Sequence, residues 1–126
     1  MEVNIPDVQA ELTAIFHVYE TALVTNDVAT LDALFLVSPQ TIRYGITENL
    51  YGYDEIAAFR KARPSVGLMR TIEQTVITTY GRDFGIASTL FRRDNAPGKV
   101  GRQMQTWVRT PDGWKVAAAH VSVIAE

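Results

Sequence analysis

Arginine can grip a small anion and tyrosine can protonate one, and both stand in this chain at positions that patterning marks as inward or unresolved. Tyr19 falls on a stripe with Leu12, Ile15, Phe16 and Leu23, the spacing of one helical face. Two readings stay open there. Tyr19 is either a core aromatic whose hydroxyl finds one partner, or a phenol aimed into a hollow as proton donor or anchor, and a phenol donates more readily beside a cation. Arg43 stands between Ile42 and Tyr44 in a short run of strand formers, so alternation puts it on one face and its neighbours on the other. Spacing does not say which face looks inward. An inward Arg43 is a carboxylate clamp, because a planar guanidinium meets a carboxylate with two parallel hydrogen bonds; an outward one is merely solvated.

Other polar residues stand where apolar ones are expected. Glu48 is close enough along a hairpin to pair with Arg43, a structural role that comes before any catalytic one. Arg60 and Arg63 share a helical face with Ile56 and Phe59; they can pair with Glu48 or Asp54, or line a pocket. Gln103 and Gln105 share a strand face with Trp107 and offer neutral hydrogen bonds to a ligand amide. His120 follows Ala117-Ala118-Ala119, small neighbours that suit either a satisfied core histidine or a ligand-facing ring. His17 falls off the apolar stripe and reads as surface.

The elements that position these residues divide the chain into two halves. The first half reads as helical from Pro6, with Thr25-Asn26-Asp27 as a break and cap, then a short helix with Leu31, Leu34 and Phe35 inward, closed by Ser38-Pro39. Thr41 to Tyr44 and Glu48 to Tyr51 read as a short hairpin, and Asp54 to Ala62 as a third helix stopped by Pro64. The second half changes to strand period over Thr71 to Tyr80, Phe84 to Arg92, Val100 to Thr110 and Trp114 to Ile124. The short, turn-rich links between these runs imply an antiparallel meander. Helices first and strands afterwards is an α+β pattern. The predicted fold is a strongly curved antiparallel sheet, four long strands plus the hairpin, packed against three helices as a cone with a ligand hollow. Residues 1–126 are expected to form a single domain.

Composition narrows the function classes. Charged residues make up 21 % of the chain and the formal net charge is -2, which argues against broad attraction to nucleic acid or anionic membrane. Nine of the twelve basic residues are Arg, the cation that tolerates partial burial. There is no cysteine, so thiolate metal sites and a cysteine nucleophile are excluded. Two distant histidines make a metal site unpromising, and no HExxH, GxSxG or phosphate-binding glycine loop is present. No cofactor is expected. The N-terminal residues do not read as a signal peptide and no apolar run reaches bilayer length, so the expected location is cytoplasmic.

The element order, together with Gly113-Trp114-Lys115-Val116 through His120-Val121-Ser122, resembles the NTF2-like (SnoaL-like) superfamily. The blocks Tyr19-Glu20, Asn26-Asp27, Ser38 to Gly45, Glu48 to Gly52, Phe59 to Pro64, Thr79 to Asp83, Gly101-Arg102-Gln103 and Trp107-Val108-Arg109 resemble the AtzH/HpxZ-like family over nearly the whole length. That resemblance implies a cofactor-free decarboxylating amidohydrolase that converts 1,3-dicarboxyurea to allophanate, beside amidases of cyanuric acid or oxalurate catabolism. It implies Tyr19 and Arg43 as catalytic residues. Arg60, Arg63, Gln105, His120 and Glu48 are then the expected substrate-binding set. It also implies a homodimer and a functional link to an amidase. Two other readings stay open: a non-catalytic accessory protein of such an amidase, and a ketosteroid-isomerase-like enzyme with Glu48 as base.

Overall fold

The computed structural model describes residues 1–126. Helix α1 spans Pro6–Val24, α2 Val28–Leu34 and α3 Tyr53–Ala62. Pro6 sits in the first turn of α1, where its missing N–H leaves no bond unmade. Val8, Leu12, Phe16, Tyr19, Ala22 and Leu23 are the buried face of α1. Asp27 caps α2, its carboxylate accepting the Thr30 backbone N–H at 3.2 Å and the Thr30 hydroxyl at 2.6 Å, which satisfies donors that the first helical turn leaves free.

Six strands follow or intervene: β1 Ile42–Tyr44, β2 Asn49–Tyr51, β3 Thr71–Tyr80, β4 Phe84–Arg92, β5 Lys99–Thr110 and β6 Gly113–Ala125. They form one sheet in the order β2-β1-β6-β5-β4-β3. The meander β3 to β6 is antiparallel, as is the β1–β2 hairpin. The join between them is not. β1 runs parallel to β6, so the sheet is mixed, a correction to the all-antiparallel expectation. Short links force antiparallel neighbours, but α3 and three long strands separate β1 from β6, and a long connection permits either direction.

Two irregularities bend the sheet. In β3 the register shifts between Glu73 and Val76, where Gln74 takes a φ of 51°. In β6 Thr106 faces Ala118 whereas Trp107 faces Val116, so Ala117 is one extra residue. A bulge of this kind curves a strand and changes which residues look inward. Trp114 and Val116 are buried on one side of it, Ala119 and Val121 on the other. The largest fully buried side chains are Trp107, Phe16 and Phe35, and the Tyr19 ring meets Trp107 edge-on at 6.2 Å. The core therefore fills the concavity beneath α1 and α2. No helix is long and apolar enough to cross a membrane.

Candidate active site

A cavity of about 420 Å³ opens where the core ends, between the second half of α1, the β1–β2 hairpin, the segment after α3 and the strands β4 to β6. Its walls include Leu23, Phe59 and Val121, and its polar lining is Tyr19, Arg43, Thr47, Glu48, Arg63, Arg70, Arg93 and Gln103.

Arg43 points inward because of its register. It lies opposite Ala119 of β6, while Tyr44 lies opposite His120, and Ala119 is on the buried face. Its guanidinium donates to Glu48 Oε1 at 2.7 Å, and the Thr47 hydroxyl and backbone N–H donate to Glu48 Oε2 at 2.6 and 3.1 Å. A Cβ at Gly45 would collide with the Glu48 carboxylate and stand 2.8 Å from the Arg43 guanidinium. The glycine after Arg43-Tyr44 therefore leaves room for this ion pair.

Burial pushes the Glu48 carboxyl up, yet hydrogen bonds from Thr47 and Arg43 and the Arg43 charge together outweigh it and hold the group below its ordinary value of 4.5. A carboxylate lowered on folding stabilises the native state fully above its unfolded pKa, and that contribution is lost as pH falls through the native value. The stability difference between wild type and Glu48→Gln is expected to be constant from neutral pH to about 4.5 and to shrink below it. Thermal melts of both proteins from pH 7 to pH 3, approximately, check the sign.

Arg63 caps the end of α3, and its Nε and Nη2 are buried without a hydrogen-bond partner. Burial first, then the charge of Arg43, pulls its guanidinium pKa down, against Tyr19 and Glu48. Arginine nonetheless stays charged in proteins. Arg70 is instead locked, with Nε and Nη2 donating to the two Glu20 carboxylate oxygens at 2.9 and 2.6 Å. Its Nη2 also donates to Gln103 Oε1 at 3.1 Å. Arg93 lies with its guanidinium carbon 4.8 Å from the Phe91 ring centre, and its Nε too is buried and unpartnered. Four arginines line the cavity and two carboxylates, Glu48 and Glu20, pair with them, which leaves two positive charges uncompensated.

Three expected binding residues lie elsewhere. His120 is exposed on the outer face, its ring 6.1 Å from that of Tyr44, because the extra residue at Ala117 shifts the alternation beyond it. Arg60 is only 4 % exposed; it donates to Asp32 at 2.6 Å and stacks on Phe35 at 4.6 Å, reaching only a crevice of about 10 Å³ beside Tyr19, Arg43 and Arg63. Gln105 is inward but sealed, its Oε1 accepting the Trp107 indole N–H at 3.1 Å. Tyr19, Arg43, Arg63 and Glu48 do line one cavity.

Arg70, Arg93 and Glu20 had no role assigned from spacing. Arg93 continues the inward alternation of Ala87, Thr89 and Phe91, and Glu20 is one turn beyond Phe16, so both carried a signal. Arg70, in the connection before β3, carried none.

A family model described as AtzH-like matches residues 1–126. Among solved structures, a protein of unknown function from Pectobacterium atrosepticum is similar at 58 % identity, with 98 % of this chain and 95 % of that chain covered and a TM-score of 0.95. A cystatin-like fold protein from Burkholderia xenovorans is similar at 50 % identity, with 100 % and 98 % covered and a TM-score of 0.96. An NTF2-like superfamily protein from Salmonella enterica serovar Typhimurium, 24 % identical with 95 % and 93 % covered and a TM-score of 0.75, shares the fold. No match was found among curated proteins.

Proposed function

This chain belongs to the AtzH-like family, and from that premise we propose that its cavity is the active site of a cofactor-free decarboxylating amidohydrolase acting on a small carboxylated urea, 1,3-dicarboxyurea to allophanate. The observation that carries this reading is the meeting of Tyr19, the paired Arg43 and the unpartnered Arg63 in one cavity. Arg63 is half-buried, and leaving two of its buried nitrogens without a partner is costly. A carboxylate that enters supplies the missing partner.

In the proposed reaction Arg43 and Arg63 hold the carboxylate that leaves. The Tyr19 hydroxyl gives its proton to the adjacent carbamate nitrogen, the C–N bond breaks with its electrons passing to nitrogen, and carbon dioxide departs. The dianion plus one proton gives the allophanate monoanion plus carbon dioxide, so charge and atoms balance. In this scheme Arg63 stabilises the phenolate until water returns the proton, and hydration of carbon dioxide makes the net change a hydrolysis. Proton donation of this kind contributes about 10²–10⁴-fold to a rate. A cavity lined by four arginines suits a small dianion better than a bulky apolar ligand, which speaks against the isomerase-like alternative.

A coupled assay tests the proposal. An upstream amidase generates 1,3-dicarboxyurea in place, and the purified protein is added. Allophanate formation well above the spontaneous rate supports the reaction. No increase, with the protein instead comigrating with the amidase, would favour the accessory role.

The homodimer is proposed on the outer face of the sheet. Val76, Ser88, Met104, His120 and Tyr44 form one row across five strands. Met104 and Val76 are 56 % and 55 % exposed, and Met104 lines a depression together with Ile42, Tyr44 and Ile86. A second copy is the proposed occupant. Met104→Lys is expected to reduce the mass measured by light scattering from two chains to one; an unchanged mass would place the contact elsewhere, and a wild-type monomer would remove it.

A further inference from the structure

We propose that Arg93 and the side-chain amide of Gln103 form a second carboxylate-binding point, which makes the cavity selective for a dianion over the corresponding monoanion. This deepens the reading above and rests on it for the identity of the natural substrate. Neither residue is needed for protonating the carbamate nitrogen, and each keeps a buried side-chain nitrogen without a hydrogen-bond partner.

The orientation of Gln103 is fixed by its neighbours. Arg70, held by both oxygens of Glu20, donates to Gln103 Oε1. A donor on that side requires the carbonyl oxygen there, so the amide cannot turn over and its NH₂ must face away from Arg70. That nitrogen is buried and has no partner, although Gln103 lines the cavity. The Glu20–Arg70 pair acts as a bracket that aims an amide donor.

Arg93 is presented by a different device. Phe91 lies opposite Gly101 on the neighbouring strand, and a Cβ at Gly101 would collide with the Phe91 ring. Only glycine leaves space for the ring to lie against β5. Arg70 and Arg93 both place their guanidinium carbons over that ring, at 4.5 and 4.8 Å from its centre, within the range of cation–π attraction. Phe91 thus lets two like charges share one wall. Arg70 is neutralised by Glu20; Arg93 has a buried, unpartnered Nε.

The charges then sort into two points. Arg63 is the uncompensated cation that shares a crevice with Arg43 and Tyr19, and Arg93 the one linked to Gln103 through Arg70, which shares the Phe91 ring with Arg93 and donates to Gln103. A ligand with a single carboxylate satisfies one point and leaves the buried nitrogens of the other without a partner, whereas one with two carboxylates satisfies both. Discrimination follows from the unmet group, since leaving a charged donor unpaired is more costly than forming one more bond is favourable. 1,3-Dicarboxyurea carries two carboxylates and allophanate one. The same point therefore favours product release.

Glutarate and butyrate are suitable inert probes, because glutarate separates its carboxylates by three atoms, as dicarboxyurea does. Titration calorimetry at low salt is expected to show wild type binding glutarate at least about tenfold tighter than butyrate, the effect of one good charge-assisted contact. In Arg93→Gln that ratio should fall to about threefold or less with butyrate affinity unchanged. Gln103→Leu should weaken glutarate alone, and it reads the same point if Arg93→Gln does not fold. A wild type without preference for glutarate, or variants that lose both ligands alike, would overturn the proposal. Measuring dicarboxyurea turnover in the same proteins separates the two ideas. An Arg93-dependent glutarate preference in a protein that forms no allophanate removes the reaction and keeps the binding point. Normal turnover, with KM unchanged in Arg93→Gln, does the reverse.

Discussion

Tyr19→Phe is expected to reduce allophanate formation by about 10²–10⁴-fold, the range contributed by a positioned general acid, and to leave the fold intact. The substitution removes one oxygen and keeps the ring. That ring packs against Phe35 and Trp107 at centroid distances of 6.3 and 6.2 Å and supplies the packing part of the residue's role, so the thermal midpoint should move little. The initial rate of allophanate formation, corrected for spontaneous loss of carbon dioxide, is the measurement. A rate within about tenfold of wild type would take Tyr19 out of the proton transfer and leave it an aromatic of the core. Because the loss would fall on kcat with KM nearly unchanged, it is separable from a binding defect.

Arg43→Lys is the second large effect, and its signature differs. Lysine keeps the charge beside Glu48 but replaces a planar fork by a single flexible ammonium. Glu48 occupies one side of the guanidinium, through Nη1 at 2.7 Å, so Arg43 has a further donor edge for a substrate carboxylate. An ammonium pulled toward Glu48 has no second edge in a fixed direction. A fall of about 10²-fold in kcat/KM is expected, consistent with the cost of misplacing a reacting group, carried substantially by KM. Steady-state kinetics on 1,3-dicarboxyurea decides; a variant within about threefold of wild type would show that only positive charge is needed at this position. Arg43→Met should lose more than Arg43→Lys, since it also leaves Glu48 unpaired.

Both expectations depend on positions whose chemistry was legible before the fold was known, though their surroundings were not. The alternation around Arg43 and the stripe through Tyr19 were visible in sequence, and the strand limits agree with the periodic runs to within two residues. The Arg43–Glu48 pair was also legible, because a hairpin brings residues five apart together. The sealed Gln105, the Arg60–Asp32 pair and the exposed His120 were not. Arg60 finds Asp32 of α2, twenty-eight residues away along the chain, and no local pattern encodes that approach. Arg70 and Glu20 are fifty residues apart and meet for the same kind of reason.

Residue spacing alone specifies the elements: three helices, a short hairpin, and four long strands with turns between them. Periodicity does this because burial of an apolar face is a local property of spacing. Which face of β1 looks inward was decided only by tertiary structure. β1 docks in parallel on β6 beyond the extra residue at Ala117, so Arg43 lies opposite buried Ala119 and enters the cavity, while Tyr44 and His120 turn to the outer face. A one-residue bulge reverses alternation for the rest of a strand, and its position depends on pairing with β5, which period alone does not specify.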